Sequence, residues 1–213
     1  MPVLEVLHPL AAHGRDSHGA APAGLDLGIA TGFGSDFLSL GPAKVFLDGS
    51  LLGETAAVSQ EFCSHHHKDN AGNVGYFQAD PEQLRTEIEA AYAAGWSIAA
   101  HAIGDRAVDL AIEIIAGCQR RYGPRAVPNR IEHASMTRPD QLEKLAAAGI
   151  AVTPQASFFH EGGDGMTASL GPDRVGWAYR ASSFLEAGVT VAGSSDRPVA
   201  DGNVLRGMQA FVD

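Results

Sequence analysis

The stretch WSIAAHAIGDRAVDLAIEIIAGCQRRYG, residues 96–123, decides the fold. It opens with a short apolar run ending in His101 and passes through Gly104 and Asp105. In the segment that follows, Val108, Ile112 and Ile115 recur at helical spacing. A strand leading directly into a helix is one β-α unit.

The same alternation continues on both sides. Upstream, DPEQLRTEIEAAYAAG (80–95) begins with Asp80 as an N-cap and Pro81 at the first helical position, and stops at Gly95. Downstream, NRIEHA (129–134) precedes TRPDQLEKLAAAG (137–149), and IAVTPQ (150–155) precedes a polar loop and then WAYRASSFLEAG (177–188). Finally VTVAGSSD (189–196) precedes NVLRGMQAFVD (203–213). Gly95, Gly149 and Gly188 sit where helices end. Two more runs, PVLEVLHP (2–9) and AKVFLD (43–48), bring the candidate strands to six, starting near residues 3, 43, 97, 129, 150 and 189. Repeated β-α units predict an α/β fold with a parallel sheet covered by helices. Segments 9–42 and 49–79 read as long, Gly-rich loops that carry short helices at most.

Twenty-five acidic residues against fifteen basic ones give a formal charge of −10. With no basic patch, neither nucleic acid nor an anionic membrane is an expected partner, and a small molecule is. Cys63 and Cys118 make no disulfide framework. Neither a signal-peptide core nor an apolar run long enough to span a bilayer is present, so the cytoplasm is the expected compartment. One domain is expected over residues 1–213.

In parallel β-α folds the C-terminal strand ends line the active-site mouth. His101 ends SIAAHA, His133 ends NRIEHA and Asp196 ends VAGSSD, so three strands deliver metal-capable side chains to one face. Lys44 lies on a fourth strand, in an apolar run where a bare ammonium is costly. Each residue has an ordinary alternative. A strand-end histidine can be a hydrogen-bonded core residue, Asp196 can cap the next helix, and Lys44 can pair with Asp48 on its own strand face. Jointly, two imidazoles and a carboxylate make a set suited to zinc or another divalent cation.

Other motifs are weaker. His65, His66 and His67 fall in a polar loop without ligand spacing and read as solvated. TGFGSD (31–36) lacks the third glycine and the preceding strand of a nucleotide loop. GSSD (193–196) is not a nucleophile elbow.

AKVFLDGSLLGETAA, AAHAIGDRAVD, RIEHA, TPQASFF and AGSSDRPVA, in that order and spacing, resemble the amidohydrolase superfamily, and within it the branch of the N-substituted formamide deformylases (amidohydrolase family 3). The resemblance implies a (β/α)8 TIM-like barrel holding one or two divalent ions, commonly zinc. It implies Lys44, as a carboxylated lysine, with His101, His133 and Asp196 as metal ligands, and Asp196 as the catalytic proton shuttle. A carbamate on Lys44 would turn a costly cation into an anionic oxygen ligand. The implied reaction is metal-dependent hydrolysis of a C–N bond in an amide or N-formyl compound. The alternatives are aminohydrolysis of a heterocycle and a non-catalytic remnant.

Asp105 and Arg106 could orient substrate, or serve as a helix N-cap and a surface ion pair. Gln155, Phe158 and His160 follow the IAVTPQ strand, where either specificity or loop packing is expected. The family's HxH motif on an early strand has no counterpart here. The expectation is therefore an incomplete barrel with about six of eight strands, lacking the first two strands and the flanking β-sandwich. Its open sheet edges would invite pairing with another chain or a homo-oligomer.

Overall fold

The computed structural model describes residues 3–4, 28–63 and 72–212. The apolar run 98–102 becomes a strand because all five of its residues are buried, with strands on both sides and helices over the sheet. In chain order the strands are β1 (Val3–Leu4), β2 (Ser39–Leu40), β3 (Ala43–Phe46), β4 (Ile98–Ala102), β5 (Arg130–His133) and β6 (Ala151–Thr153). The last four form one parallel sheet in the order β3-β4-β5-β6. The register aligns Phe46 with His101 and His101 with Glu132.

The helices are α1 (Pro81–Ala93), α2 (Asp105–Tyr122), α3 (Pro139–Ala148), α4 (Ala156–Leu170), α5 (Ala181–Glu186) and α6 (Val204–Gln209). Asp80 caps α1 by accepting from the Glu82 N–H, with Pro81 behind it. Gly149 closes α3 in the left-handed region at φ 60°. The α2 face predicted by periodicity, Val108, Ile112 and Ile115, is buried. It joins Leu84, Ile88 and Tyr92 of α1, Leu145 of α3, Phe184 of α5, and Ile98, Ile131 and Val152 of the sheet in the main core. Among the described residues no helix is long and apolar enough to cross a membrane.

Three sequence expectations change. The strand expected from residue 189 is reduced to a single parallel bridge between Val191 and Val152, held by Thr190 O and Ala192 N. Segment 9–42, read as a loop, contains the unforeseen β2, which pairs in parallel with β1; of the strand expected over 2–9, Val3–Leu4 is strand and the rest lies outside the described residues. The polar loop after IAVTPQ is instead α4, despite Gly162, Gly163 and Gly165. Packing overrides propensity there, since Gly162 and Gly165 let the helix approach Leu52. The segment from residue 49 is the loop that was expected, and its start is packed into the core: Ala56, Ala57 and Val58 are fully buried. The N-terminus of α2 presses against it so closely that a Cβ on Gly104 would lie 2.1 Å from the Ala57 carbonyl oxygen. The His65–His67 triplet lies outside the described residues.

A second apolar cluster sits at the C-terminal ends of the strands. Leu51, Val58, Phe62, Ile103, Met136, Met166 and Leu170 form it, with Phe158 and Tyr179 packed against them.

Candidate metal centre

On a strand successive side chains alternate between faces, and laterally paired residues of parallel strands share one. Lys44, Phe46, His101 and Glu132 therefore project to one side. His133, next to Glu132, should project to the other. The backbone cancels that alternation: His133 has φ 72° and Ala134 φ 45°, and the Ala134 N–H donates to the Glu132 carbonyl at 3.0 Å. This is a strained three-residue turn, in a region a non-glycine residue enters at roughly 1–3 kcal/mol. Its result is that the His133 ring meets His101 edge to face, with centroids 4.5 Å apart.

Both rings are buried, His101 9% and His133 5% exposed. Burial lowers both pKa values to about 4; His101 is pushed further by His133, and His133 by Lys44. Each ring also has one nitrogen committed. His101 Nε2 lies 2.9 Å from the Gly49 carbonyl oxygen, which can only accept, so Nε2 carries the proton and Nδ1 keeps a lone pair. The Gln155 amide is oriented by its donation to the Thr153 carbonyl, which presents Oε1 to His133 Nδ1 at 2.6 Å. His133 Nδ1 therefore donates, and Nε2 keeps the lone pair. Two neutral imidazoles, each held by an acceptor on its far nitrogen, are the form in which histidine ligates metal.

Asp196 stands at the rim, exposed, and its φ of 51° is a second strained backbone position. Its pKa is raised by partial burial, against the pull of Lys44 and His101. Lys44 is half-buried with Nζ 5.2 Å above the Phe46 ring, whose centroid is 4.9 Å from that of His101. The Lys44–Asp48 pairing offered by the sequence does not form. Lys44 has no ion pair among the described residues. Asp48 instead accepts from the N–H groups of Ala57, Ile103 and Gly104 and lies 3.5 Å from His101 Nε2. Burial raises its pKa to about 7, opposed by those three donors.

Among the described residues no three His, Cys, Asp or Glu side chains stand close enough together to hold one ion. The observed unit is a pair of imidazoles, with Lys44 and Asp196 within electrostatic reach. Two neutral imidazoles with free ring nitrogens are a donor pair that suits a divalent cation.

Of the other sequence candidates, Gln155 and Phe158 reach the pair; the Phe158 ring stacks near His133 with centroids 6.4 Å apart. Asp105 is the first residue of α2 rather than its cap, and its carboxylate accepts from Ser59 N–H and Arg138. Arg106 is exposed and lies over the Phe77 ring. His160 is exposed beside Tyr179 and Phe211. No contact joins these three to the histidines. Sequence reasoning overlooked Glu132, which faces the sheet interior between Arg130 and Thr153. Burial works against its ionisation, but the Thr153 hydroxyl, Arg130 and Lys44 hold its pKa below the usual range. Strand alternation was the signal that could have found it. Tyr179, at φ 47°, lies near enough to Asp196 to feel its charge and had no sequence signal.

The pKa shifts predict a pH dependence. In the metal-free protein both rings should titrate near pH 4 rather than 6.5. Between those values the unfolded state binds more protons, so stability falls as pH drops through the window. Asp48 opposes this, because its raised folded pKa adds stability as pH falls below 7. Glu132, whose pKa is lowered, adds to the loss, and Asp196, whose pKa is raised, adds to the opposing gain, so the two histidines decide the direction and the metal-free protein should be less stable at pH 4 than at pH 6.5. Ring-proton NMR titration reads the midpoints, and ordinary values for both would contradict the burial seen here.

The sequence profile of the amidohydrolase family matches residues 7–212. The Arabidopsis thaliana protein LONG AFTER FAR-RED 3 is 33% identical over 179 residues, covering 84% of this chain and 30% of that protein. The crystal structure of an uncharacterized metal-dependent hydrolase from Pyrococcus horikoshii superimposes with a TM-score of 0.75 at 28% identity, over 87% of this chain and 35% of that one. One from Pyrococcus furiosus gives 0.74 at 29% identity, over 87% and 36%. The parallel sheet with its helices is thus part of a (β/α)8 barrel. The chain spans about a third of the length of these relatives.

Proposed function

Since the chain belongs to the amidohydrolase family, we propose that it carries the metal centre of a hydrolase that cleaves a C–N bond in a small amide or N-formyl compound. The observation that carries this reading is the strained turn at His133, which brings a second neutral imidazole against His101 where alternation would have separated them. Strain of this kind concentrates at functional sites.

The lone pairs on His101 Nδ1 and His133 Nε2 are the donors for the ion, and imidazole ligands suit zinc. Addition of carbon dioxide to the neutral Lys44 amine, with loss of a proton, would make an anionic oxygen donor on the same face. A divalent cation bound there supplies a water of lowered pKa and polarises the scissile carbonyl. Asp196, at the open rim with a raised pKa, takes the proton from the attacking water and returns it to the departing amine nitrogen. Gln155 keeps the His133 tautomer fixed, and Phe158 shields the ring from water.

The test is metal content by elemental mass spectrometry after zinc loading and dialysis, followed by product analysis with simple amides. The expected result is about one or two ions per chain, at least tenfold weaker binding in the His101→Ala/His133→Ala protein, and release of a carboxylate with an amine. Failure of the wild-type chain to retain zinc would overturn the reading, and ammonia release from a heterocycle would redirect it to deamination.

A further inference from the structure

The turn that brings His133 to His101 places two consecutive residues in the left-handed region, His133 at φ 72° and Ala134 at φ 45°. Neither is glycine, and such a pair persists only where its surroundings over-determine it. Those surroundings are the limb that follows, residues 135–138. Its backbone is fastened on two sides. The Met136 N–H donates to the carbonyl of Ile103, two residues past His101, and the Thr137 N–H donates to that of Trp177. The Tyr179 N–H donates in turn to the Ser135 carbonyl. Main-chain bonds of this kind are open to almost any sequence, so they do not say why this one holds the turn.

Two side chains supply the reason. Thr137 is fully buried, and its hydroxyl donates back to the Ala134 carbonyl at 2.8 Å, which fixes the peptide plane leaving the strained pair. That carbonyl accepts no other hydrogen bond among the described residues. Arg138 spreads its guanidinium over three carboxylates: Nη1 lies 2.8 Å from Asp105, Nη2 2.7 Å from Asp109 and Nε 3.0 Å from Asp140. Asp105 is the buried one, 1% exposed, and its other oxygen accepts from the Ser59 N–H. Asp105 lies four residues past His101, and Arg138 five past His133. One ion pair, shielded from water on the aspartate side, therefore ties together the two segments that carry the rings. The planar fork of arginine holds several acids in fixed directions, which the point charge of a lysine does not.

We infer that Thr137 and Arg138 are positioning residues for the imidazole pair: the hydroxyl closes the His133 turn, and the Arg138–Asp105 pair sets how far apart the two rings stand. The inference rests on the proposed metal centre only for the use made of that spacing, and the ring contact is read separately from it. Two readouts are taken on the 213-residue chain and its variants. One is the ring-to-ring nuclear Overhauser effect between His101 and His133 in EDTA, and the other is zinc affinity by competition with a chelating dye.

Thr137→Val keeps the shape but orphans the Ala134 carbonyl, and should lose most of the ring contact and bind zinc about tenfold more weakly. Thr137→Ser keeps the hydroxyl and should retain both. Arg138→Lys keeps the charge without the fork and should move both readouts in the same direction as Thr137→Val. Its side chain is part-exposed, so it carries the test if Thr137→Val does not fold. Ile115→Val removes a methyl group from the buried face of α2 and is the control for stability loss alone; it should lower the melting temperature and move neither readout. Wild-type ring contact and zinc affinity in a folded Thr137→Val or Arg138→Lys protein remove that residue from the role, and equal losses in Ile115→Val overturn the inference altogether. If the wild-type chain binds no zinc, the hydrolase reading falls and the ring contact decides alone. Its loss in Thr137→Val with recovery in Thr137→Ser sustains the inference, and its persistence in both Thr137→Val and Arg138→Lys ends it.

Discussion

Asp196→Asn should lower hydrolytic turnover by about 10²- to 10⁴-fold while leaving the melting temperature within about 2 °C of wild type. Asparagine keeps the shape and one acceptor oxygen but cannot take up a proton. Asp196 is exposed, and its side chain accepts no hydrogen bond from the described residues that would be lost. Its raised pKa, from partial burial opposed by Lys44 and His101, places its proton exchange nearer neutrality than for an ordinary aspartate, as a shuttle requires. A fall in turnover with KM held within about threefold marks a group that acts in the transition state. Zinc content measured on the same samples separates proton transfer from metal loss. A variant with wild-type turnover would remove Asp196 from the mechanism.

The largest structural effect is expected at Asp48. Its carboxylate satisfies three buried backbone N–H groups, those of Ala57, Ile103 and Gly104, at 2.7 to 3.0 Å. These belong to the buried loop, the end of the His101 strand and the start of α2, so one side chain fastens three segments around the site. Asp48→Ala would orphan all three donors at about 1–3 kcal/mol each, for a total of roughly 4 kcal/mol or more. Asp48→Asn keeps an acceptor but turns an NH2 group toward at least one donor, and should lose about half as much. Urea denaturation of the two variants checks the order. Equal midpoints for alanine and wild type would mean that the three donors find other partners.

Asp48 and His133 also show where reading the chain as a string fails. Asp48 looks like a partner for Lys44 because both fall on one strand face, yet its acceptors are used by backbone 9, 55 and 56 residues away. Glu132 was overlooked for the complementary reason. The histidine beside it carried the chemical signal, while alternation assigned the interior position to the glutamate. The helix Ala156–Leu170 was unreadable because its three glycines say loop, and only the packing of Leu52 against Gly162 and Gly165 says otherwise.

What the sequence by itself determined are the features with local causes. The β-α alternation through β3 to β6, the caps of α1 and α3, the buried stripe of α2 and the histidines at strand ends all follow from periodicity and from single residues such as Asp80, Pro81 and Gly149. The tertiary structure alone decided which way His133 points and what Asp48 holds. Those depend on backbone strain and close packing between segments far apart in the chain. Their energies exist only once the segments have met, so no local pattern records them.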